Sequence, residues 1–363
     1  MAQFIKRSRF WTARLRWTDS AGKKHSKSKS GFKVKRDAQA WAAKAENKIN
    51  QGVAIDKQIS LANYYDRWIK TYKDKKLAQI TLDRYKYTGE ALRSFFGNIP
   101  IKNINRQHYQ QFINKYGSNH APDTVKKVNS IIHSCVKSAI LDDYLTKNFT
   151  QRVELIANQD RVLNVDYLNL KEIKRLKTAT MEGIKRRPGF TSRYMIITAI
   201  YTGMRLSEIQ ALTWNDIDWI CQTISISKSW DMRTKQFKPA KSKSSNRTIK
   251  VNQQLLDCLK HLQQNNSTMV FMNQYGTIPT SNAVNKTLRQ LLKKLHIHRK
   301  NFHFHSLRHS HVALLLANGV GIYGISKRLG HNDISTTTKV YAYLLDEYQN
   351  KVDQKIISAL SSL

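Results

Sequence analysis

The sequence predicts a multidomain α+β protein with a small N-terminal β-sheet plus one helix, a central all-α bundle, and a mainly α C-terminal domain with a small antiparallel sheet. At 363 residues the chain is too long for one ordinary core. Strand-like alternation occurs near the N terminus, helical spacing dominates the middle, and both patterns occur beyond residue 166. The predicted segments are an N-terminal domain at 1–54, a helical domain at 55–150, a linker at 151–165 and a C-terminal domain at 166–363.

The N-terminal sheet is predicted from FWTARLRWT, in which apolar and polar residues alternate. One face of this strand would be apolar and formed by Trp11, Ala13, Leu15 and Trp17. The other face would carry Arg14 and Arg16. The turn DSAG at 19–22 leads to a second strand in KKHSKSKS, and a helix follows from near Asp37 to a stop at Gly52.

Residues 58–150 have helical patterning throughout. Ser60, Thr81 and Asn105 are the candidate N-caps. The longest apolar stripe repeats at helical spacing and is formed by Val125, Val128, Ile132, Cys135, Val136 and Ala139. We expect such stripes to form a core, and the basic residues on the remaining faces to clamp a phosphate backbone.

The C-terminal domain is separated from the bundle by a stretch without clean periodicity. Asn169 and Glu172 then form a capping box at the start of a helix. Helical pattern continues through SRYMIITAIY and LSEIQAL, whereas TISIS and TIKV predict short strands.

The charge of the chain indicates a polyanionic partner. It contains 62 Lys+Arg and 25 Asp+Glu, for a formal net charge of +37. Such a surplus would destabilise a compact protein by self-repulsion unless a polyanion neutralises it. Nucleic acid is the first candidate and an acidic membrane surface the second. We therefore expect Arg14 and Arg16 to contact DNA rather than to form a merely solvated face.

The cysteine content and the N terminus predict a cytoplasmic protein. Cys135, Cys221 and Cys258 lack the spacing of a disulfide framework or a zinc site. The sequence shows neither the apolar core of a signal peptide nor a stretch of membrane-spanning length.

Candidate site residues occur in three segments of the C-terminal domain. In TGMRLSEIQAL, Ser207 and Gln210 predict a capping box, so Arg205 would lie just before a helix N terminus, where anions are favoured. In HSLRH, His305 and Arg308 are three residues apart at a helix start and therefore share a face.

The third segment, FKPAKSKSSNRTIK, is typical of a hairpin tip. A lysine there could reach a minor groove or a leaving oxygen, or could touch phosphates without specificity. Position alone does not choose between Lys241 and Lys243.

The histidines near Arg308 also raise the question of a metal site. His305 and His309 are spaced i,i+4, with His303 and His311 close by. The segment contains no carboxylate or thiol to complete a ligand set, and neighbouring arginines repel cations. The sequence therefore predicts neither a metal nor a cofactor.

Together, these residues predict metal-free phosphoryl transfer. Two guanidiniums can bind the non-bridging oxygens of a phosphate, and a tyrosine can attack phosphorus as a covalent nucleophile. Histidine and lysine would transfer the protons. Fixed positive charge would stabilise the transition state in place of Mg²⁺.

The order and spacing of these segments resemble the tyrosine recombinases, and specifically the phage or conjugative-transposon integrases. The matching motifs are TGMRLSE, AKSKSSNRTI, HSLRH and LGHNDISTTTKVY. The resemblance implies an arm-type DNA-binding domain at 1–54, a core-site DNA-binding domain at 55–150 and a catalytic domain at 166–363. It further implies that Arg205 and Arg308 bind the scissile phosphate and that His331 hydrogen-bonds to it.

The resemblance also implies how protons and the nucleophile are supplied. Lys241 would protonate the leaving 5′ oxygen, with Lys243 as a competing amine that otherwise contacts DNA. His305 would help to deprotonate the nucleophile. Tyr341 would become linked to a DNA 3′ phosphate, whereas Tyr343 is expected to be a packing residue.

The implied partners are double-stranded DNA attachment sites and a homotetramer assembled on that DNA, with no membrane. A host bending factor or an excisionase is a candidate accessory partner, and the expected location is the nucleoid of a bacterial host cell. The C-terminal tail has an apolar helical stripe formed by Val352, Ile356, Ala359, Leu360 and Leu363. This stripe would pack on a neighbouring protomer or fold back onto its own.

Two alternatives use the same composition differently. One is a nicking and resealing enzyme of the type IB topoisomerase kind, which the multidomain organisation disfavours. The other is a non-catalytic DNA-binding or architectural protein with a decayed site, which the presence of every catalytic residue type disfavours.

Overall fold

The computed structural model describes residues 2–7, 9–18, 24–50, 58–74, 77–162, 166–240, 243–335, 337–338, 341, 357 and 360–361. The chain divides into two compact units, Met1–Val162 and Leu163–Leu363. In the described part of the chain, none of the helices combines the length and apolar character that crossing a membrane requires. The predicted multidomain α+β fold class is confirmed.

The first unit begins with a three-stranded antiparallel sheet covered on one face by a helix. The strands are β1 (Ala2–Arg7), β2 (Phe10–Thr18) and β3 (Lys24–Phe32), in the order β1-β2-β3, and the helix is α1 (Lys35–Asn50). Their shared core is formed by Ala13, Leu15, Ala38, Ala42 and Ala45. The covered face of β2 is therefore the apolar face that the sequence predicts.

Three details at this end differ from the sequence-based expectation or lie beyond it. The sequence does not predict β1, in which the adjacent Phe4 and Ile5 are both half-buried and so break a simple alternation. Helix α1 begins at Lys35, two residues before Asp37. The predicted turn at 19–22 and the stop at Gly52 lie outside the described residues.

The rest of the first unit is a helical bundle. Its helices are α2 (Leu61–Tyr72), α3 (Gln79–Phe96), α4 (Arg106–Gly117) and α5 (Pro122–Leu141). The predicted caps Ser60 and Asn105 do begin α2 and α4, where their side chains accept backbone N–H groups. Thr81 as a cap is wrong, because α3 starts after Ala78, whose carbonyl accepts the N–H of Thr81 at 2.8 Å.

Large aromatic side chains fill the bundle core and keep their polar atoms paired. Trp68 is 2% exposed and donates to Ser138 at 2.9 Å, and the hydroxyl of the fully buried Tyr109 donates to Asn129 at 2.8 Å. The predicted stripe of α5 is buried along its length. These residues therefore act as core.

The chain leaves the bundle along α4, and the close approach requires a glycine. Gln110 exchanges two hydrogen bonds with the backbone of Glu154, at 2.8 and 2.9 Å, and the Asn158 N–H donates to the Gly117 carbonyl at 2.9 Å. A Cβ at Gly117 would lie 1.8 Å from the carbonyl oxygen of Ile156. The first part of the predicted linker thus packs against the bundle, and residues 163–165 lie outside the described residues.

The second unit is mainly helical and is built around α7. Its helices are α6 (Leu170–Arg186), α7 (Thr191–Thr202), α8 (Leu206–Gln210), α9 (Gln253–Lys260), α10 (Ser281–Lys294), α11 (Phe304–Ala317) and α12 (Ile322–Leu329). The consecutive residues 194–200 of α7 are at most 5% exposed, which is typical of a helix surrounded by others. Asn169 and Glu172 form the predicted capping box of α6.

Two small antiparallel sheets complete this unit. One contains β4 (Ile217–Asp218), β5 (Thr223–Ile226) and β8 (Arg247–Lys250), and the other contains β6 (Lys228–Asp231) and β7 (Gln236–Pro239). The predicted hairpin around residues 237–250 is wrong. Strand β7 pairs with β6, whereas β8 pairs with β5. The lysine segment therefore connects two sheets and is not the tip of one ribbon.

A buried histidine links α11 to α7 and α12. His311 is 3% exposed, its Nδ1 lies 2.9 Å from the carbonyl of Ile200, and its Nε2 lies 3.2 Å from Nε of Arg328. A carbonyl can only accept and a guanidinium can only donate, so the ring is neutral with its proton on Nδ1. Gly203 ends α7 at φ 65°, and a Cβ there would lie 2.7 Å from Cδ2 of His311. Glycine meets both requirements.

We expect Gly117→Ala to destabilise the first unit by about 2–3 kcal/mol, because the new methyl group would displace the backbone at Ile156. Thermal or urea unfolding measures the effect. Gly324→Ala is the matched control, since a Cβ there meets no atom within 4 Å and alanine favours the helix. Equal stability of the two variants would contradict the packing described here.

We expect His311 to make the second unit less stable in acid. Burial and then the charge of Arg328 lower the pKa of His311 to about 3, whereas an unfolded histidine titrates near 6.5. Between these values the unfolded state binds the proton and the folded state does not, so the free energy of unfolding falls as pH falls. At pH 5 the loss attributable to this group is about 2 kcal/mol.

Urea unfolding near pH 7.5 and pH 5 of the wild type and of His311→Gln measures this contribution. The variant should lose less stability between the two pH values than the wild type does. The same loss in both proteins would show that His311 does not carry the effect.

Candidate active site

Arg308 lies at the centre of the candidate site and is 3% exposed. Its Nη1 donates to the carbonyl of Gly203 at 2.7 Å, and its Nη2 donates to the carbonyl of Leu329 at 2.7 Å. Nη2 also lies 3.0 Å from Nε2 of His331. Burial and then the charge of Arg205 lower the pKa of Arg308. The guanidinium is thus crowded by positive charge, which a bound anion would relieve.

Arg205 is held beside this centre by a buried carboxylate. Glu208, 6% exposed, accepts from the Arg205 backbone N–H at 2.9 Å and from its Nη1 at 2.8 Å. Glu208 also accepts from both terminal nitrogens of Arg247, at 2.9 and 3.2 Å. Burial alone would raise the pKa of Glu208, but the hydrogen bonds and charges of the two arginines hold it below its ordinary value. The carboxylate therefore stays ionised and orients both guanidiniums.

The predicted capping box of Ser207 and Gln210 is wrong. Helix α8 begins at Leu206, and Arg205 itself is the N-cap residue, with Glu208 accepting its N–H. The left-handed Gly203 ends α7 so abruptly that Arg205, at φ −70° and ψ 150°, is already the cap of the next helix.

Arg247 also connects the lysine segment to the chain that follows α12. Its Nε donates to the carbonyl of Arg328 at 2.7 Å, and its Nη1 donates to that of Ser245 at 3.0 Å. The Ser244 hydroxyl hydrogen-bonds to Asn332. Lys241 lies outside the described residues, and Lys243 begins the 3-10 turn Lys243–Ser245. The structure thus places the backbone of this segment next to the His331 loop.

His331 is neutral and has a defined tautomer. Its Nε2 must accept from Arg308, so its proton lies on Nδ1 and is donated to Oγ1 of Thr337 at 2.6 Å. Burial and then the charge of Arg308 lower the pKa of His331 to about 4. The ring therefore borders the same position as the Arg308 guanidinium without adding charge.

Tyr341 is buried in the site, with 1% of its surface exposed. It packs in a cluster with Val312, Ile325 and Leu329. Its hydroxyl lies 2.6 Å from Nδ1 of His309. Tyr343 lies outside the described residues.

His305 lies one helical turn before His309. The two rings meet edge to face with their centroids 5.2 Å apart, and the ring of His305 also stacks on His303 at 6.3 Å. His305 is exposed, whereas His309 is partly buried. Of the predicted residues, the structure therefore gathers Arg205, Arg308, His331 and Tyr341, with His305 joined through His309.

Three residues of the site are not among those selected from the sequence. Glu208 could have been found from its i,i+3 spacing to Arg205. Arg247 carries no sequence signal beyond its place at the start of a strand. His309 was considered only as a metal ligand. Within the described ranges, no group of three or more His, Cys, Asp or Glu side chains could hold a metal ion.

A second basic surface lies on the sheet of the first unit. Arg14 and Arg16 are exposed on the open face of β2. Arg14 is paired with Gln3 and Ser28, and Arg16 with Ser26. Because paired residues share a face and these neighbours are short and uncharged, both guanidiniums can reach a ligand laid across the sheet.

Comparison with known families matches most of the chain. The phage integrase family matches residues 166–347, the phage integrase N-terminal SAM-like domain matches 60–116, and the Arm DNA-binding domain matches 4–49. The chain is 23% identical over 347 residues to the integrase of Staphylococcus phage L54a, covering 86% of this chain and 97% of that protein. It is 25% identical over 353 residues to a XerC-like tyrosine recombinase of Caldanaerobacter subterraneus subsp. tengcongensis, covering 86% and 87%.

Solved structures show the same fold. The Tn1549 transposon integrase in complex with a circular intermediate DNA superposes with a TM-score of 0.68 at 17% identity, covering 82% of this chain and 99% of that one. A lambda integrase dimer bound to a COC' core site superposes with a TM-score of 0.60 at 16% identity, covering 93% of both chains. With the family match over residues 166–347, these findings establish that the chain belongs to the phage integrase family and is a tyrosine recombinase.

Proposed function

We propose that this tyrosine recombinase is the integrase of a mobile DNA element, and that it cleaves and rejoins attachment-site DNA through a bond between Tyr341 and a 3′ phosphate. The observation that carries the proposal is the clustering of a buried tyrosine with Arg308 and His331, which come from separate segments of the chain. The integrase of phage L54a and the Arm DNA-binding match support the mobile-element role.

Phosphate binding would use the guanidiniums of Arg205 and Arg308. Both lie near His331, whose pKa is lowered by burial and by their charges. Guanidiniums donate paired N–H groups to phosphate oxygens and keep their charge at any physiological pH. Glu208 orients Arg205 without neutralising Arg308, so the site can stabilise the charge that develops on phosphorus oxygens.

The reaction exchanges one phosphodiester for another. The Tyr341 oxygen forms a bond to phosphorus while the bond from phosphorus to the 5′ oxygen breaks. The phenol proton passes to a histidine of α11, and the leaving 5′ oxygen takes a proton from Lys241. A 5′ hydroxyl from another duplex can reverse these steps, so the strand is rejoined without ATP.

The site described here is closed. Tyr341 and Arg308 are 1% and 3% exposed, and Arg308 contacts the carbonyl of Leu329 just before the His331 loop. A DNA phosphate can reach both side chains only when the segment after α12 moves. Binding of DNA would therefore be coupled to opening of this segment.

DNA would be held by both units, with Arg14 and Arg16 binding arm-type sites and the bundle contacting core sites. Assembly as a tetramer is supported by the lambda integrase tetramer bound to a Holliday junction, which superposes with a TM-score of 0.58. An excisionase or a host bending factor would assist by shaping the DNA between the two kinds of site.

Tyr341→Phe should abolish formation of a covalent protein–DNA adduct, because it removes the attacking oxygen. The substrate is a nicked suicide duplex that contains the sequence protected when the protein is footprinted on DNA flanking its own gene. Denaturing gels measure the adduct. Tyr323→Phe, on an exposed tyrosine of α12, is the matched control and should retain it.

An adduct formed fully by Tyr341→Phe would refute the assigned nucleophile. A wild-type protein that protects the site and yet forms no adduct would refute the catalytic function and favour a non-catalytic DNA-binding protein.

Replacing Arg14 and Arg16 together with alanine should weaken binding to arm-type DNA and lower the salt dependence of that binding. If each guanidinium contacts one phosphate, the slope of log K against log salt should fall by about 2. Fluorescence anisotropy over a salt series measures it. Thr12 and Thr18 occupy the same strand face, so their alanine variant is the uncharged control. An unchanged slope in the arginine variant would exclude this face as a phosphate contact.

A further inference from the structure

His309 is the residue of α11 that directly contacts the proposed nucleophile. Its Nδ1 lies 2.6 Å from the Tyr341 hydroxyl, which is hydrogen-bonding distance for proton transfer. The ring centroids are 5.5 Å apart, so the contact is made at the edge of the imidazole. His305 lies behind His309, with its ring centroid 5.2 Å from that of His309.

Helix geometry explains how His309 and Arg308 act on different groups. Successive residues on an α-helix project about 100° apart. The Arg308 side chain points toward Gly203 and Leu329, whereas the next residue points toward Tyr341. One short segment therefore supplies a phosphate ligand and a partner for the nucleophile.

We propose that His309, rather than His305, accepts the proton of Tyr341 during strand cleavage and returns it during rejoining. This assignment rests on the proposed function of Tyr341. In cleavage the proton moves from the Tyr341 oxygen to Nδ1 of His309, which becomes an imidazolium. The phenolate oxygen bonds to phosphorus, and the bond to the 5′ oxygen breaks. In rejoining, the imidazolium protonates the departing tyrosine.

The surroundings of His309 suit a base that works only when DNA is bound. Burial, followed by the charges of His305 and Arg308, lowers the pKa of His309 to about 4, so the ring is neutral at neutral pH. A phosphodiester bound to Arg308 adds negative charge nearby and opposes that effect. His309 therefore becomes a stronger base when the scissile phosphate is in place.

The test compares His309→Asn with His305→Asn in single-turnover cleavage of the nicked suicide duplex. The Asn side-chain oxygen can occupy the position of Nδ1 and accept a hydrogen bond, but it does not take up a proton. We expect His309→Asn to bind DNA and melt as the wild type does, and to cleave at least about 100-fold more slowly. His305→Asn should lose less activity. Imidazole added to His309→Ala should restore part of the rate.

A second substrate, with sulfur in place of the bridging 5′ oxygen, separates the base from the acid. A thiolate leaves without protonation, so this substrate should relieve the defect of Lys241→Ala and leave the defect of His309→Asn. Relief of His309→Asn by sulfur, or cleavage by it within about threefold of the wild-type rate, would overturn the assignment. So would a larger, unrelieved loss in His305→Asn.

The wild type and Tyr341→Phe are tested in parallel, so that the two proposals fail separately. An adduct in the wild type and none in Tyr341→Phe establishes the nucleophile, and the His309 result then decides the base alone. No adduct in the wild type defeats the proposed function first.

Discussion

The buried ion pairs of Glu208 with Arg205 and Arg247 hold the candidate site together. Glu208 and Arg247 are each about 6% exposed at the side chain, and a buried pair broken from one side costs about 3–5 kcal/mol because a charge is left unpaired. Arg247 also binds the carbonyls of Ser245 and Arg328. One carboxylate therefore fixes the relative positions of three segments that are distant in sequence, and the phosphate ligands are oriented by that arrangement.

The same network leaves the site positively charged. Three guanidiniums, on Arg205, Arg247 and Arg308, against the one carboxylate of Glu208 leave a net charge of +2. The neighbouring His331 stays neutral, because burial and the arginine charges lower its pKa. Preorganised donors around an uncompensated charge favour an anion whose charge grows in the transition state. This accounts for a phosphate site that needs no metal ligand set among the residues described.

Local patterns in the sequence predict the elements whose environment is also local. The alternation of β2, the stripe of α5 and the capping box of α6 follow from side chains a few residues apart. The hairpin around residues 237–250 was predicted wrongly because strand pairing depends on partners that adjacent residues do not specify. Likewise, His305 and His309 share a helix face by spacing. Only the fold determines which of them meets a tyrosine 32 residues beyond His309.

The two carbonyls bound by Arg308 make DNA affinity depend on the stability of the closed site. An N–H group that turns from Leu329 to a phosphate oxygen exchanges a contact within the protein for a contact with DNA. The free energy that keeps the segment after α12 closed is thereby subtracted from the intrinsic affinity of the open state. Only DNA that makes enough contacts elsewhere on the protein can supply the difference. Chance encounters with unrelated phosphates then leave the tyrosine covered, so the closed site acts as a threshold for selectivity.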